Sequence, residues 1–300
     1  MTTAAQLRRP QRPGPVGRLF LGPDHRLRRW WRVSGYLVAV LAVAAPLGMW
    51  GQRSLTANLA AHAGVPVAVL GVTYAFRRHV DRRPWRDLGL TGRPGRGLWT
   101  GFLTGVMAMV AYFAVLWTAG WARITGTELT ERGVVPAVGL LAMGLFFFTT
   151  SAVVQEVAFR GYVLQTLADG GSLRKAAIAS SLIFAVLHFS DLPTPLFALV
   201  LLADLTLMAG FLILTRLSTG ALWTAVGFHT AWNWTMDTVF SLDTDAGADY
   251  GNALVHVRLH APSAGLGPNG AAELLYLLAS VLLFTGYWLA TRPSAAVVPA

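Results

Sequence analysis

Residues 134–155 read VVPAVGLLAMGLFFFTTSAVVQ, a run of 22 residues without a charged side chain. A helix that crosses a bilayer needs about 20 consecutive, mostly apolar residues, so this run predicts a membrane span. The next six residues are EVAFRG, and we expect the helix to continue through them to residue 167. Glu156 and Arg160 therefore lie within a membrane helix, four residues apart, and we expect them to form an ion pair.

The rest of the chain repeats the apolar pattern. Of its 300 residues, 54% are apolar and only 13% are charged, and the mean hydropathy is +0.52. An ordinary soluble domain has about a quarter charged residues. The sequence thus predicts an all-α polytopic membrane helix bundle with about eight transmembrane helices. Besides 134–155, the expected spans are 33–51, 55–76, 97–118, 175–189, 195–215, 218–239 and 271–291.

Basic residues divide unequally between the two sides of these spans. The segments that share a side with the N-terminus hold 19 of them and the opposite loops hold four, so the positive-inside rule predicts that both termini are cytoplasmic. This rule explains the net charge of +10 more simply than nucleic-acid binding does. Arginine outnumbers lysine 23 to one, which is typical of a GC-rich bacterial genome, and we expect the bacterial cell (inner) membrane.

The predicted organisation is a single membrane domain with two short flanks. Residues 1–32 form a basic cytoplasmic arm, 33–292 form the transmembrane domain, and 293–300 form a short cytoplasmic tail. The arm lacks the apolar core of a signal peptide. The loop 240–270 is rich in Gly and Asp and has no predicted structure.

Polar side chains at membrane depth are costly and commonly mark function or an internal pair. Three short patterns carry most of them, and the helical rise places all three about 16 to 20 Å from the basic ends of their helices. We therefore predict one shared site, and separate hydrogen bonds between packed helices are the alternative. The patterns contain Gln155, Glu156 and Arg160, then His188, then His229 with Asn233. Asp204 is a possible supporting group, Asp237 is also at membrane depth, and His62 is taken as structural.

These residues suit hydrolysis. A carboxylate or imidazole can take a proton from water, and an imidazole with an amide can stabilise an oxyanion. The same groups can bind Zn²⁺, although the chain has no HExxH motif. It has no cysteine, no Gly-x-Ser-x-Gly motif and no phosphate-binding loop, so thiol nucleophiles and the common serine-hydrolase and nucleotide sites are excluded.

The order of the three patterns resembles a known family. A paired acid motif followed by Phe-Arg-Gly, then Phe-x-x-x-His, then His-x-x-x-Asn, is similar to the CPBP intramembrane proteases. This family groups type II CAAX prenyl endopeptidases with bacteriocin-processing and immunity proteins. The resemblance extends over about residues 85–240 and includes DLGL at 87–90 and STGALW at 218–223.

The resemblance implies an intramembrane endopeptidase that acts on membrane-associated proteins or peptides in the lipid bilayer. In the family, the first acid of the pair activates water with help from the histidine of the second motif. Carried over, His188 assists the base, His229 and Asn233 form the oxyanion hole, and Arg160 orients the carboxylate. We expect no metal, with zinc as the alternative, and no nucleic-acid partner.

Gln155 departs from the family pattern, which has Glu at this position. An amide is not a general base at neutral pH, so three alternatives remain. Glu156 takes the base role, His188 does so alone, or the protein has lost hydrolysis and acts as a membrane scaffold or immunity-type protein. A small-solute transporter is a more distant alternative, because the chain lacks paired broken helices.

Overall fold

The computed structural model describes residues 15–22, 26–189, 194–242 and 253–291. Its helices are α1 (Pro15–Phe20), α2 (Arg29–Gly51), α3 (Leu55–Ala75), α4 (Pro94–Thr118), α5 (Glu128–Glu131), α6 (Val134–Glu156), α7 (Leu164–Ala168), α8 (Leu173–Val186), α9 (Pro195–Thr219), α10 (Trp223–Trp234) and α11 (Gly270–Thr291). Three π-helical segments and one 3-10 turn continue or connect them, namely Phe76–Val80, Val157–Val163, Thr235–Val239 and Trp85–Leu88.

The predicted all-α polytopic bundle is confirmed, and the chain is a multi-pass membrane protein. Within the described ranges, six helical segments are long and apolar enough to cross a membrane. The expected fifth and seventh spans are helices too, but α8 has 14 residues and α10 has 12 before its five-residue π-helical extension. Fourteen helical residues reach only about 21 Å, less than the hydrocarbon core of a bilayer. These two short helices carry two of the three polar patterns.

The span predicted at 134–155 is part of a single helical segment from Val134 to Ala168. Near the C-terminal end of this segment, Val157–Val163 is π-helical, and all seven of these residues are buried. A π turn inserts extra backbone into a helix and re-aims its side chains, which is why such turns are frequent at functional sites. Here the π segment follows immediately after Glu156 and contains Arg160.

Helices α4 and α10 pack almost backbone to backbone. A Cβ atom added at Gly101 would lie 2.1 Å from the carbonyl oxygen of Thr224, and one added at Gly227 would lie 2.1 Å from that of Leu98. Gly105 makes a similar approach to Phe228. The glycines therefore act as packing residues, and they fix the position of α10.

A two-stranded antiparallel sheet lies at one end of the bundle. Strand β1 (Ala122–Thr127) pairs with β2 (Val255–Leu259), so the prediction that loop 240–270 has no structure is wrong for its second half. The two strands are more than 100 residues apart in the chain, and five residues give little local signal of a strand. Residues 243–252 of this loop lie outside the described residues.

A network of ion pairs lies at the opposite end, where the basic residues gather. The guanidinium of Arg32 contacts Asp81 at 2.9 Å and Asp169 at 3.0 Å, and Arg83 contacts Asp169 at 2.6 Å. Burial alone would raise the pKa of Asp169, but the bonds and charges of Arg32 and Arg83 outweigh it and lower that pKa. Arg32 belongs to α2, which begins at Arg29, so the first predicted span begins within this helix.

The predicted N-terminal arm and C-terminal tail lie only partly within the described residues. In the arm, Pro15–Phe20 forms helix α1, whereas residues 1–14 and 23–25 lie outside the described residues. The same holds for 292–300, which include the predicted tail.

Candidate active site

Glu156 is the most enclosed carboxylate of the site, with no exposed side-chain surface. Its Oε1 lies 2.8 Å from Nδ1 of His229 on α10 and 3.1 Å from Nη1 of Arg160, one turn further along its own helix. The i,i+4 pair expected from the sequence is therefore present. Oε2 accepts no hydrogen bond from the described residues.

The contact with Glu156 determines which ring nitrogen of His229 carries a hydrogen. A carboxylate only accepts hydrogen bonds, so Nδ1 of His229 carries a hydrogen and donates it to Oε1. In the neutral ring Nε2 is then an acceptor, and in the imidazolium form it is a second donor. His229 can thus present a hydrogen-bond donor on the side of the ring away from Glu156.

His188 follows the end of α8 and binds the other member of the acid–amide pair. Its Nε2 lies 3.2 Å from Oε1 of Gln155, and its Nδ1 lies 2.7 Å from the carbonyl oxygen of Phe184. Unlike Glu156 and His229, it is an exposed residue. His188 is therefore the more accessible of the two imidazoles of the site.

The protons between His188 and Gln155 can be arranged in two ways. The Phe184 carbonyl oxygen accepts, so Nδ1 of His188 carries a hydrogen. Either His188 is an imidazolium that donates from Nε2 to the amide oxygen, or the amide is turned over and its NH₂ donates to a neutral ring. The hydroxyl of Ser151, 3.0 Å from Nε2 of Gln155, suits both orientations. The amide of Gln155 can therefore form a hydrogen bond with either protonation state of His188.

The two histidines meet at the ring of Phe184. The ring of His188 is 4.1 Å from that of Phe184 and the ring of His229 is 6.4 Å from it, centroid to centroid. The guanidinium carbon of Arg160 lies 4.5 Å from the same centroid, a cation–π contact. Because a buried aromatic ring excludes water, Phe184 separates Arg160 from the open side of the site. Helices α6, α8 and α10 thus bring Gln155, Glu156, Arg160, His188 and His229 together.

The other polar residues named from the sequence lie in different positions. Asn233 is one turn beyond His229 on α10 and partly exposed, on the same helix face. Asp204 is buried elsewhere and accepts a hydrogen bond of 2.5 Å from Ser280 on α11. Asp237 lines a cavity of about 390 Å³ together with His62, whose ring stacks 4.2 Å from Phe147.

Sequence reasoning missed two contributors. Ser151 bonds to Gln155, and its position four residues earlier on one helix is the signal that was available. Phe184 was quoted only as part of a motif, because its contacts to two other helical segments arise from tertiary packing. A cavity of about 250 Å³ adjoins Gln155 and Ser151 and extends toward His62 and Asn58.

No metal site can be assigned from side-chain geometry. Within the described part of the chain, no three His, Asp or Glu residues are grouped so that they could hold a metal ion. In these contacts Nδ1 of His229 binds Glu156, and Nδ1 of His188 binds the carbonyl oxygen of Phe184. A metal-free site remains a prediction.

Residues 137–235 match the family model described as "Type II CAAX prenyl endopeptidase Rce1-like". The resemblance to the CPBP family is confirmed. The Rce1-like segment begins within α6 and ends just after α10, so it includes all six candidate residues. It supports a CAAX-type, intramembrane protease-like function. Searches of curated proteins and of solved structures found no match.

Proposed function

We propose that the protein is an intramembrane endopeptidase that hydrolyses peptide bonds of membrane-associated proteins or peptides. One observation carries the proposal: two imidazoles from different helices lie beside a single ring, Phe184, each oriented by its own neighbour on α6. Helix-packing hydrogen bonds alone would give no reason for this convergence.

His188 is the group proposed to activate water. It is exposed, and its neutral form has a lone pair at Nε2 that can take a proton from water. Gln155 holds this nitrogen or the attacking water by hydrogen bonds. Glu156 is a poor candidate for the base, because it is fully enclosed and already bound to Arg160 and His229.

His229 and Asn233 are proposed to stabilise the oxyanion that forms when water attacks the peptide carbonyl. Glu156 fixes the ring of His229 through Nδ1, and in the proposed step the imidazolium form of His229 donates to the oxyanion from Nε2. Arg160 in turn holds Glu156. Glu156 and Arg160 are thus positioning residues in this mechanism, and the site operates without a metal.

A second candidate function rests on Gln155 itself. The half-exposed amide occupies the place of the family's water-activating carboxylate, and a non-hydrolytic relative would keep the fold and the pocket without the base. Such a protein would bind membrane peptides as a scaffold or an immunity-type protein.

A cleavage assay separates the two functions. Purified protein in lipid nanodiscs is incubated with a quenched-peptide library, and wild type is compared with His188→Ala. His79→Ala is the matched control, because His79 is exposed and outside the site. We expect cleavage by wild type and by the control, and a loss of about 100-fold or more in His188→Ala. Equal cleavage by wild type and His188→Ala would contradict the mechanism, and binding without cleavage by wild type would favour the scaffold.

A further inference from the structure

A groove of about 780 Å³ lies between α4, α9 and α11, away from the candidate active site. Gln155, Glu156, His188 and His229 do not line it. It is found at the end of the bundle that carries the basic residues. Nothing in the proposed proteolysis uses this groove.

The groove exists because α4 and α11 touch near one end and then separate. The hydroxyl of Tyr112 on α4 donates to the carbonyl oxygen of Ala272 at the start of α11, at 3.1 Å. Toward its other end α11 packs against α9 instead, where the ring of Tyr287 lies 5.5 Å from that of Phe211 and its hydroxyl 2.6 Å from Ser218. The space left beside α4 is the groove.

The mouth of the groove is positively charged. Arg93 and Arg96, at the first turn of α4, are both exposed and line it. Among the described residues, neither has an acidic partner. Arginine binds phosphate oxygens with two parallel hydrogen bonds, so this pair is suited to a phosphate group.

Tryptophan side chains at the level of the two arginines indicate the membrane interface. Trp223 lines the groove and donates from Nε1 to the carbonyl oxygen of Thr91, and Trp99 is 62% exposed one turn beyond Arg96. Tryptophan is enriched where the headgroups of the bilayer meet its hydrocarbon. The two arginines therefore lie at headgroup depth.

Apolar side chains and threonines together form the remaining walls of the groove. The hydroxyls of Thr100 and Thr104 donate to carbonyl oxygens of their own helix. Phe211, Leu282 and Leu283 line the groove, and Leu282 is 62% exposed. A Cβ added at Gly286 would have no neighbour within 4 Å, so the groove is open at this point. In a bilayer a hydrocarbon chain can fill such a space, because its apolar side faces lipid and the Thr100 and Thr104 hydroxyls are already bonded within their helix.

We propose that this groove binds one anionic phospholipid. Its phosphate lies between Arg93 and Arg96, and one acyl chain runs along α11 past Gly286. Charge complementarity selects the anionic class, since two unpaired guanidinium groups face the headgroup. Basic pockets between transmembrane helices are a common way to hold such lipids.

Lipid titrations followed by native mass spectrometry and thermal shift test the charged end. Wild type in neutral detergent should bind phosphatidylglycerol at least about tenfold more tightly than phosphatidylcholine. The double variant Arg93→Gln with Arg96→Gln should lose this preference. Arg78→Gln with Arg82→Gln is the matched control, because it removes the same charge from exposed positions at the same end. An equal loss in the control would overturn the site in favour of a diffuse basic surface, as would an absent preference in wild type.

The apolar end needs its own variant. Gly286→Leu should fill the groove and weaken phosphatidylglycerol binding by about tenfold. Gly71→Leu is the control, since Gly71 also lies in a spanning helix with open space at its Cβ. Glycerol phosphate alone should neither bind nor compete at the same concentration. Unchanged binding by Gly286→Leu, or full competition by glycerol phosphate, would overturn the lipid and leave a phosphate site only.

Discussion

Gln155 and Glu156 are adjacent in the chain but contact different histidines. Neighbouring positions on a helix point about 100° apart. Gln155 accordingly reaches His188, and Glu156 reaches His229. The carboxylate at 156 does not replace the missing carboxylate at 155, because it faces another part of the site. This separation gives His188 the base role and Glu156 a positioning role in our mechanism.

Substitution of Gln155 tests this division. Gln155→Glu would place a carboxylate beside Nε2 of His188, so we expect the rate of peptide cleavage to rise by about tenfold or more. Gln155→Ala removes the hydrogen bond to His188 and should slow cleavage without abolishing it. Initial rates on one peptide measure both effects. Activity in wild type that falls to background in Gln155→Glu would mean that the amide itself holds the water or the substrate.

Arg160 is predicted to stabilise the site through Glu156. Arg160→Ala leaves a fully enclosed carboxylate without its cation, which should reduce the free energy of unfolding by about 3–5 kcal/mol. The double variant Glu156→Ala with Arg160→Ala removes both charges and should regain much of that stability, but it should remain slow because His229 has lost its partner. Thermal denaturation and cleavage rates are measured together. A double variant with full activity would show that the pair is purely structural.

The position of helix α10 relative to α4 follows from glycine contacts between them. Helix α10 carries His229 and Asn233, and its distance from α4 is set where Gly101 and Gly227 face the opposite backbone. The two helices cannot approach this closely if either position carries a side chain. The geometry of the proposed oxyanion hole therefore depends on glycines that lie outside the candidate site.

Gly101→Ala should disturb this contact. The added methyl group would lie 2.1 Å from the carbonyl oxygen of Thr224, so the helices must separate, at a cost of about 1–3 kcal/mol. We expect a lower melting temperature and slower cleavage. Gly139→Ala on α6 is the control, because its Cβ meets nothing within 4 Å, and it should leave both unchanged or raise stability slightly. The same loss in both variants would rule out a specific role for the α4–α10 contact.

The sequence predicted helices and polar residues better than it predicted their partners. Long apolar runs identify spans, and the spacing of Glu156 and Arg160 correctly indicated their pair, because both signals are local. Strand β2 escaped detection because its partner is distant in the chain. The contact between Glu156 and His229 was equally hidden, since it depends on how α6 and α10 pack. The residue types thus indicated a candidate site, but which side chains contact each other depends on tertiary packing.

For the molecule as a whole, charge separates the two ends. The ion pairs of Arg32 and Arg83 with Asp169 lie at one end, and the β1–β2 sheet lies at the other. We propose that the basic end faces the cytoplasm, because arginine is retained on that side of a membrane. The candidate lipid groove then opens at the cytoplasmic leaflet.

Cysteine labelling tests this orientation in a chain that has no cysteine of its own. Leu129→Cys, at the sheet end, should react with an impermeant thiol reagent in intact cells, because Leu129 is 48% exposed. Arg82→Cys, at the basic end, should react only after permeabilisation. The reverse pattern would invert the topology, and the assignment of the lipid groove to the inner leaflet would fail with it.

Hydrolysis at the paired histidines is the central claim, and His229 tests it most directly. The measurement is the rate at which equal amounts of folded wild type and His229→Ala cleave one peptide in nanodiscs, with products identified by mass spectrometry. Because His229 is the proposed oxyanion donor, its loss should slow cleavage by about 100- to 1,000-fold while leaving peptide affinity nearly unchanged. Wild type and His229→Ala cleaving at the same rate, or wild type giving no product at all, would contradict the account.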